Sequence, residues 1–343
     1  MRISRKTCFL GAAGIAGAAT GAAVLGTAAA TGALLYLALR PRKFPENAVV
    51  LITGGSRGLG LAIASHFARN GKVRLVLAAR DRQELERAQA TLLERHPHLL
   101  PDDFYLVAAD LMDRSECERL IAETISRFGR IDVLVNNAGI MEVGPLESQS
   151  LEAFERAIKL HYLAPLYTIW AAIPHLRKQE PLPGGRHRAS IANISSIGGK
   201  VPVPHLLPYV GSKFALTGLS EGLHVELRKR GIRVTTVCPG LMRTGGEEHA
   251  HFVGYPEKES KWFKASAKTP GLAASVDYAA GRIYNAVASG CAEITITPQA
   301  CILARKHGLF PSAIQYAGSV VNEYILPPPP REDAGLAGES QEG

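Results

Sequence analysis

A tyrosine and a lysine four residues apart, Tyr209 and Lys213 in "YVGSK", are the residues of this sequence best placed to move a proton. If this segment is helical, both side chains lie on one face, so an ammonium group sits beside a phenol. A free tyrosine has a pKa of about 10, and a neighbouring cation lowers it by favouring the phenolate. We therefore expect Lys213 to lower the pKa of Tyr209 and Tyr209 to act as a general acid or base, although such a pair taken alone is more often a surface feature.

Two adjacent serines, Ser195 and Ser196, end the predicted strand "ASIANIS" shortly before Tyr209. Side chains alternate along a strand, so one hydroxyl is expected to face the sheet and the other an adjoining cleft. The hydroxyl in the cleft could bond the oxygen of a substrate. The alternative is that both serines merely cap a turn.

The segment "VVLITGGSRGLGLAIASHFARNG" is predicted to form a strand, a glycine turn and an amphipathic helix. Glycines permit a tight turn and the close approach of a phosphate, and the N-terminus of a helix attracts an anion. This order indicates a dinucleotide-binding loop. The letters "GGSRG" also match the nucleophile elbow G-x-S-x-G, in which Ser56 would be the nucleophile of a hydrolase, so the loop alone leaves both functions open.

Short apolar runs alternate with helical stretches from residue 48 onward, which is typical of strand-helix units on a parallel sheet. We expect an α/β fold with a Rossmann-type, doubly wound sheet of seven parallel strands. The expected strands are 48–53, 73–79, 104–109, 132–136, 189–194, 233–237 and 293–297.

The catalytic domain is expected to span residues 44–300, with a substrate lid at about 241–275. Residues 301–326 form an apolar C-terminal extension, and residues 327–343 are expected to be a disordered tail.

Six basic residues around the N-terminal segment account for most of the formal net charge of +8: Arg2, Arg5, Lys6, Arg40, Arg42 and Lys43. Residues 44–343 therefore carry only +2, and the charge balance gives no indication of a nucleic-acid surface. The five cysteines are widely spaced and form no C-x-x-C pair, which indicates neither a disulfide framework nor a zinc site. Such cysteines favour a reducing compartment.

No charged residue lies between Lys6 and Arg40. A helix over residues 9–39 would be about 46 Å long, which exceeds the ~30 Å hydrocarbon core of a bilayer. We therefore expect residues 1–43 to form a single-pass N-terminal transmembrane helix with basic flanks. Two alternatives stay open: a twin-arginine-like export signal, because "SRKTCFL" resembles one, and a buried helix of the fold.

Four motifs occur in order: T-G-x3-G-x-G at 53–60, "NNAG" at 136–139, "YVGSK" at 209–213 and "CPGLMRT" at 238–244. In content and order they resemble the short-chain dehydrogenase/reductase family over residues 46–300. The resemblance implies an NAD(P)-dependent oxidoreductase in which Ser196, Tyr209 and Lys213 are catalytic and Lys213 also bonds the nicotinamide ribose. It implies further cofactor contacts from Thr53, Gly54, Ser56, Arg57, Gly58, Leu59, Gly60, Asp110, Asn137, Ala138, Gly139, Tyr209, Pro239, Gly240 and Thr244. The hydrolase alternative loses support because no comparable Ser, Asp and His set is apparent.

The family's fourth active-site position, usually an asparagine, aligns with His161. The asparagine is thought to support a helix kink and a water that leads from the lysine to solvent. A histidine could hold such a water through a ring nitrogen or could break the relay, and it could also simply fill space between helix and sheet.

The cofactor preference depends on the end of the second strand, where "LVLAARD" places Arg80 and then Asp81. An acid there would bond the ribose 2′-hydroxyl, whereas an arginine favours a 2′-phosphate. Arg57 in the glycine loop adds a second guanidinium, which matches phosphate geometry well. We therefore expect NADP(H) to be favoured over NAD(H), with Asp81 keeping NAD(H) open.

The expected substrate is a lipophilic ketone or alcohol, because the lid and C-terminal segment carry Trp262, Phe263, Phe310, Tyr316 and Tyr324. Membrane contact and core packing explain these aromatics equally well. The cluster "EEHAH" at 247–251 has metal-ligand residue types but lies in the lid, and hydride transfer needs no metal, so no metal site is expected.

These expectations combine into a membrane-bound reductase whose catalytic domain faces the cytosol, because NADP(H) is drawn from the cytosolic pool. A homodimer or homotetramer is expected from the family resemblance. The alternative from a different class is a membrane-tethered nucleotide-binding or scaffold protein with this fold and little catalysis, for which His161 is the only sign.

Overall fold

The computed structural model describes residues 43–183, 187–243, 250–268 and 273–330. Seven parallel strands form the main sheet in the order β7-β6-β5-β4-β1-β2-β3. In chain order they are β1 Ala48–Thr53, β2 Val73–Ala79, β3 Phe104–Ala108, β4 Val133–Asn136, β5 Ala189–Ile194, β6 Ile232–Pro239 and β7 Glu293–Ile296. The predicted α/β sheet is thus confirmed. The strand order reverses between β1 and β4, which is where doubly wound sheets open a crevice at their carboxyl ends.

Helices cover both faces of the sheet, so both sets of side chains along most strands are buried. This explains why the strands are nearly continuous apolar runs. α1, α2 and α8 lie on one face, and α3, α5 and α6 lie on the other. The helices are α1 Gly58–Arg69, α2 Arg82–Arg95, α3 Arg114–Phe128, α4 Leu151–Ile158, α5 Ala164–Lys178, α6 Leu207–Leu227, α7 Pro256–Lys268, α8 Val276–Ser289, α9 Pro298–Leu309 and α10 Pro311–Tyr324.

Strand β1 shows how the sheet separates the two cores. All six of its residues are buried, and alternate side chains enter opposite layers. Val50 and Ile52 pack in the layer of α1, whereas Val49 and Leu51 pack in the layer of α3. Each fully buried side chain of this size contributes about 2 kcal/mol of transfer free energy. The carboxyl end of β1 is therefore a rigid support for the glycine loop that follows it.

A single π-helical turn, Lys159–Leu163, joins α4 to α5. Such turns insert an extra residue into a helix and are frequent at functional sites. The turn carries His161, which is completely buried. An irregular, π-helical turn is therefore present at the position where the family resemblance implied a helix kink.

The predicted lid region contains α7 and two short strand pairings. His251–Phe252 pairs in parallel with Glu142–Val143, and Ala274–Ser275 pairs with Met242–Arg243. Residues 244–249 and 269–272 lie outside the described residues.

The C-terminal extension forms α9 and α10, and α10 has no buried residue. Phe310, Tyr316 and Tyr324 are exposed by 64%, 75% and 74%, so core packing is the wrong explanation for these three aromatics. Trp262 and Phe263 of α7 instead pack in an apolar cluster with Tyr209 and Phe252.

The predicted membrane anchor falls almost entirely on residues 1–42, which lie outside the described residues, as do residues 331–343 of the predicted tail. Within the described ranges, no helix has both the length and the hydropathy needed to cross a bilayer.

A buried carboxylate clamps β1 to β4. Asp132 is 1% exposed, and its Oδ2 accepts a hydrogen bond from the amide of Val49 at 2.9 Å. Its own amide donates to the Val49 carbonyl at 2.9 Å, and its Oδ1 accepts from Arg130 Nε at 2.9 Å. The start of β4 is therefore held in register beside β1.

We expect Asp132→Ala to lower the free energy of unfolding by about 2–4 kcal/mol, because it leaves a buried amide and a guanidinium without their acceptor. Urea denaturation measures this loss. The control is Glu118→Ala, which removes an exposed ion pair with Arg114 and should cost under about 1 kcal/mol. Similar midpoints for the two variants would contradict the clamp.

Candidate active site

The glycine loop between β1 and α1 is shaped by glycines that no other residue replaces easily. Gly54 and Gly58 have φ angles of +63° and +53°. A Cβ on Gly60 would lie 2.1 Å from the Gly54 carbonyl oxygen, so this position excludes any side chain. No side chain caps α1 at Arg57, and its first turn holds no acid. The N–H groups of this helix end are thus available to an anion, which fits a dinucleotide pyrophosphate.

The loop is tied to the turn that follows β4. Thr53 Oγ1 accepts from the amides of Asn137 and Ala138 at 2.9 and 3.1 Å. Asn137 Nδ2 donates to the carbonyls of Thr53 and Gly54 at 3.0 and 3.1 Å. Four of the residues predicted to contact the cofactor therefore form one hydrogen-bonded unit. Leu59 differs from them, because its side chain lies in the core and leaves only its backbone for a ligand.

Charged residues after β2 and in the glycine loop, which were predicted to contact the adenosine ribose, have partners that the sequence did not reveal. Asp81 is the N-cap of α2, and its Oδ1 accepts from the amides of Gln83 and Glu84 at 2.8 and 3.1 Å. Glu84 reaches the glycine loop, where it accepts from Ser56 Oγ and Arg57 Nη1 at 3.0 and 2.7 Å. Asp81 is thus engaged in capping. The hydroxyl of Ser56 bonds a carboxylate rather than a histidine, unlike the nucleophile of a serine hydrolase.

Arg80 and Asp110 lie at the exposed edge of the same region. Arg80 lines a cavity that also touches Tyr209. Asp110 Oδ1 accepts from the amide of Met112 at 3.1 Å, which fixes the turn after β3.

The two serines after β5 point in different directions. Ser195 is 3% exposed, and its hydroxyl bonds the Lys213 carbonyl at 3.1 Å and Thr217 Oγ1 at 2.7 Å. Ser196 Oγ accepts from the amide of Gly198 at 3.0 Å and is hydrogen-bonded to Tyr209. The structure thus places the hydroxyl of Ser196 beside the phenol and turns that of Ser195 into the packing against α6.

Tyr209 and Lys213 lie on α6 as the helical spacing predicts, and the Lys213 ammonium is 5.7 Å from the centre of the Tyr209 ring. The expected lowering of the phenol's pKa is wrong for this structure. Burial raises the pKa of Tyr209, while the hydrogen bond with Ser196 acts in the opposite direction. Burial also lowers the pKa of Lys213 to about 7, so only part of the Lys213 side chains carry a positive charge at neutral pH. Its Nζ donates to the Ile194 carbonyl at 2.8 Å.

His161 uses both ring nitrogens to join two parts of the site. Its Nε2 accepts from the amide of Ile140 at 3.0 Å, which requires the proton to be on Nδ1. Nδ1 donates to Ser212 Oγ at 2.7 Å, and Ser212 donates in turn to the Tyr209 carbonyl at 2.9 Å. Burial, and secondarily the charge of Lys213, lowers the pKa of His161, so the ring is neutral. With both nitrogens bonded to protein groups, neither holds the relay water suggested from the sequence.

A buried polar chain beneath the site was missed by the sequence analysis. Thr168 Oγ1 donates to Asn136 Oδ1 at 2.9 Å, and Asn136 Nδ2 donates to Asn193 Oδ1 at 2.9 Å. Asn193 Nδ2 then donates to Ser220 Oγ at 3.1 Å, and Thr236 Oγ1 donates to the same oxygen at 2.8 Å. Two asparagines within otherwise apolar strands were the signal that could have identified this link between β4, β5, β6 and the surrounding helices.

The cavity in front of Tyr209 has a volume of about 290 Å³. Its lining combines apolar side chains with a few polar or charged ones: Met112, Ile140, Met141, Pro208 and Tyr209, with Arg80, Glu142, Arg156 and His251. Such a lining can hold an apolar molecule with a small number of polar groups.

The end of β6 and the residue that follows it lie beside β7. Pro239 pairs with Ile296 of β7, and the amide of Gly240 donates to the Ile296 carbonyl at 2.9 Å. A Cβ on Gly240 would lie 2.4 Å from Thr297 Oγ1, so glycine is required there. Thr244 and the first three residues of "EEHAH" lie outside the described residues.

The sequence profile of the short chain dehydrogenase family matches residues 48–251. An uncharacterized oxidoreductase of Staphylococcus saprophyticus is 31% identical over 236 residues, which are 68% of this chain and 90% of that protein. The 11-beta-hydroxysteroid dehydrogenase-like 4A of Arabidopsis thaliana is 36% identical over 57% of this chain and 62% of its own length. The crystal structure of a short-chain dehydrogenase from Streptomyces avermitilis superposes with a TM-score of 0.66 at 27% identity, over 81% of this chain and 98% of that one. The chain therefore belongs to the short-chain dehydrogenase family and is an NAD(P)-dependent oxidoreductase.

Proposed function

We propose that the protein is an NADP(H)-dependent carbonyl reductase or secondary-alcohol dehydrogenase for a lipophilic ketone or alcohol. The observation that carries the proposal is the meeting of Ser196, Tyr209 and Lys213 at the carboxyl end of the sheet, in a cleft that also touches the turn after β4. This arrangement supplies a hydroxyl donor, a phenolic acid and a cation next to an apolar cavity.

A bound nicotinamide supplies or accepts the hydride. The chain's own residues handle the proton: Ser196 bonds the carbonyl oxygen of the substrate, and Tyr209 Oη transfers its proton to that oxygen as the carbonyl carbon is reduced. The phenolate that remains is stabilised by Lys213. Because burial raises the pKa of Tyr209, the phenol is protonated at neutral pH, which is the form required for reduction. In the reverse direction the phenolate takes the proton from an alcohol.

The preference for NADP(H) is supported by the charges at the adenosine end. Arg57 and Arg80 are both solvent-accessible there, and a planar guanidinium matches the oxygens of a 2′-phosphate. The carboxylate of Asp81, which would favour NAD(H), is directed to the amides of α2. One oxygen of this acid is thus engaged in capping the helix.

A lipophilic substrate is supported by the surroundings of Tyr209. Tyr209 packs against an apolar cluster of Val143, Leu206 and Val210, to which Phe252 and Trp262 also belong. One relative carries the name of a hydroxysteroid dehydrogenase, and a steroid is a large apolar molecule with a secondary alcohol or ketone. We propose the same chemical class for this chain.

We further propose that residues 1–43 tether the enzyme to a membrane, with the catalytic domain on the cytosolic side. The support is the uncharged stretch from residue 7 to residue 39 together with its basic flanks. The exposed apolar face of α10 agrees with a position close to lipid.

Replacing the proposed acid tests the reaction. A panel of ketosteroids, retinal, 3-keto lipids and simple ketones with NADPH identifies a working substrate for the wild-type protein. We expect Tyr209→Phe to lower NADPH oxidation on that substrate by about 10²–10⁴-fold while cofactor binding is retained. The control Tyr278→Phe changes an exposed residue of α8 and should leave the rate unchanged. A Tyr209→Phe variant with the wild-type rate would defeat the proposed mechanism, whereas a wild-type protein that oxidises NADPH with no substrate of the panel would favour the scaffold alternative.

The pKa of Lys213 has a consequence for stability. Its folded value of about 7 lies below the unfolded value of about 10.4, so the unfolded chain binds more protons between these pH values and stability rises with pH across that window. Between pH 7 and pH 9 we expect the unfolding free energy of the nucleotide-free wild type to rise by about 2 kcal/mol relative to Lys213→Met. Urea unfolding at both pH values measures the difference. Parallel pH dependences would show that this lysine is not titrating in the fold.

The membrane proposal is tested by fractionation. Full-length protein should stay with the membrane pellet in high salt and be released by detergent, because burial of the N-terminal segment does not depend on charge. Release by salt, or a mature N-terminus near Ala30, would contradict the tether.

A further inference from the structure

Glu84 of α2 forms an ion pair with Arg57, the cation of the glycine loop. The two oxygens of Glu84 have different partners: Oε2 accepts from Ser56 Oγ at 3.0 Å, and Oε1 accepts from Arg57 Nη1 at 2.7 Å. The side chain of Glu84 is 25% exposed and that of Arg57 is 50% exposed. The acid is therefore partly shielded by the loop, while the guanidinium remains open to a ligand.

The position of Glu84 follows from the capping of α2. Asp81 accepts the amides of Gln83 and Glu84, which fixes the first turn of the helix beside the loop. Sequence position had indicated Asp81 as the acid that decides between the cofactors. In the structure the carboxylate that bonds the loop cation is instead Glu84, three residues later.

We propose that Glu84 is a specificity-determining residue whose negative charge weakens the binding of a 2′-phosphate and so narrows the discrimination between NADPH and NADH. The inference rests on the proposed function only in requiring that the glycine loop binds these cofactors. A 2′-phosphate carries close to two negative charges at neutral pH. It must approach an arginine that Glu84 already pairs with, whereas NADH carries an uncharged 2′-hydroxyl at this place, which the carboxylate does not repel.

The ion pair between Arg57 and Glu84 is weak enough for a 2′-phosphate to compete with Glu84 for the arginine. A solvent-exposed ion pair contributes little to stability, so a phosphate can draw Arg57 away from Glu84. The displaced carboxylate would stay beside the glycine loop, because Ser56 holds its other oxygen. Repulsion between the two anions then acts on the phosphorylated cofactor alone.

The test removes the charge of Glu84 with little change of shape. Glu84→Gln keeps one acceptor oxygen, which can serve either Ser56 or Arg57, and replaces the other oxygen with an uncharged NH₂ group. Glu86→Gln is the matched control, because Glu86 lies on the same helix and pairs with Arg82, away from the loop. The dissociation constants of NADPH and NADH for the full-length protein are measured from the fluorescence of the reduced nicotinamide.

We expect Glu84→Gln to tighten NADPH binding roughly five- to twentyfold and to change NADH binding less than twofold. Glu86→Gln should leave both constants at wild-type values. Weaker NADPH binding by Glu84→Gln, or an equal change for the two cofactors, would overturn the inference. If the wild-type protein binds neither nucleotide, the proposed function itself fails, so the two failures are distinguishable.

Discussion

The exchange of hydrogen bonds between Thr53 and Asn137 is the constraint on which the active-site cleft depends. Each residue satisfies backbone groups of the other's segment, so the ends of β1 and β4 are fixed at the point where the strand order reverses. The clamp of Asp132 on Val49 fixes the opposite ends of the same two strands. Gly54 and Gly60 can then approach to a distance that no side chain would allow. A dinucleotide cleft follows from this geometry because its walls are set before any ligand arrives.

The side of the cleft around Tyr209 contains buried polar groups, and burying each of them without a partner would cost folding free energy. Lys213 is 4% exposed and His161 fully buried, and burial shifts the pKa of each towards the neutral form. The structure offsets that cost with specific partners: the Ile194 carbonyl for the lysine, and Ile140 and Ser212 for the histidine. Because His161 bonds both the turn after β4 and α6, it holds these two segments at a fixed distance from each other.

Periodicity and spacing were sufficient to predict the sheet, since the strands are apolar runs whose predicted bounds differ from those in the structure by at most two residues. The same information placed Tyr209 beside Lys213, because a helical spacing of four residues is a geometric fact. The direction of the pKa shift was not predictable, since it depends on how deeply α6 is buried. The partners of Asp81, Glu84 and His161 were not predictable from the sequence either. Asp81 caps a helix, Glu84 contacts the glycine loop and His161 bonds two neighbouring segments, and each outcome depends on how the side chain is oriented in three dimensions.

The contact between α7 and the segment before α6 is an interaction that the sequence did not reveal. Glu259 of α7 is completely buried and accepts from His205 Nδ1 at 2.9 Å and from Trp262 Nε1 at 2.6 Å. His205 precedes α6 and has a φ of +62°, a conformation that the surrounding contacts must hold in place. A buried carboxylate that lost either donor would be left partly unpaired, so α7 and the segment leading to Tyr209 are held together. The apolar side chains Trp262 and Phe263, which pack in one cluster with Tyr209, are therefore positioned by a buried polar contact as well as by their hydrophobic neighbours.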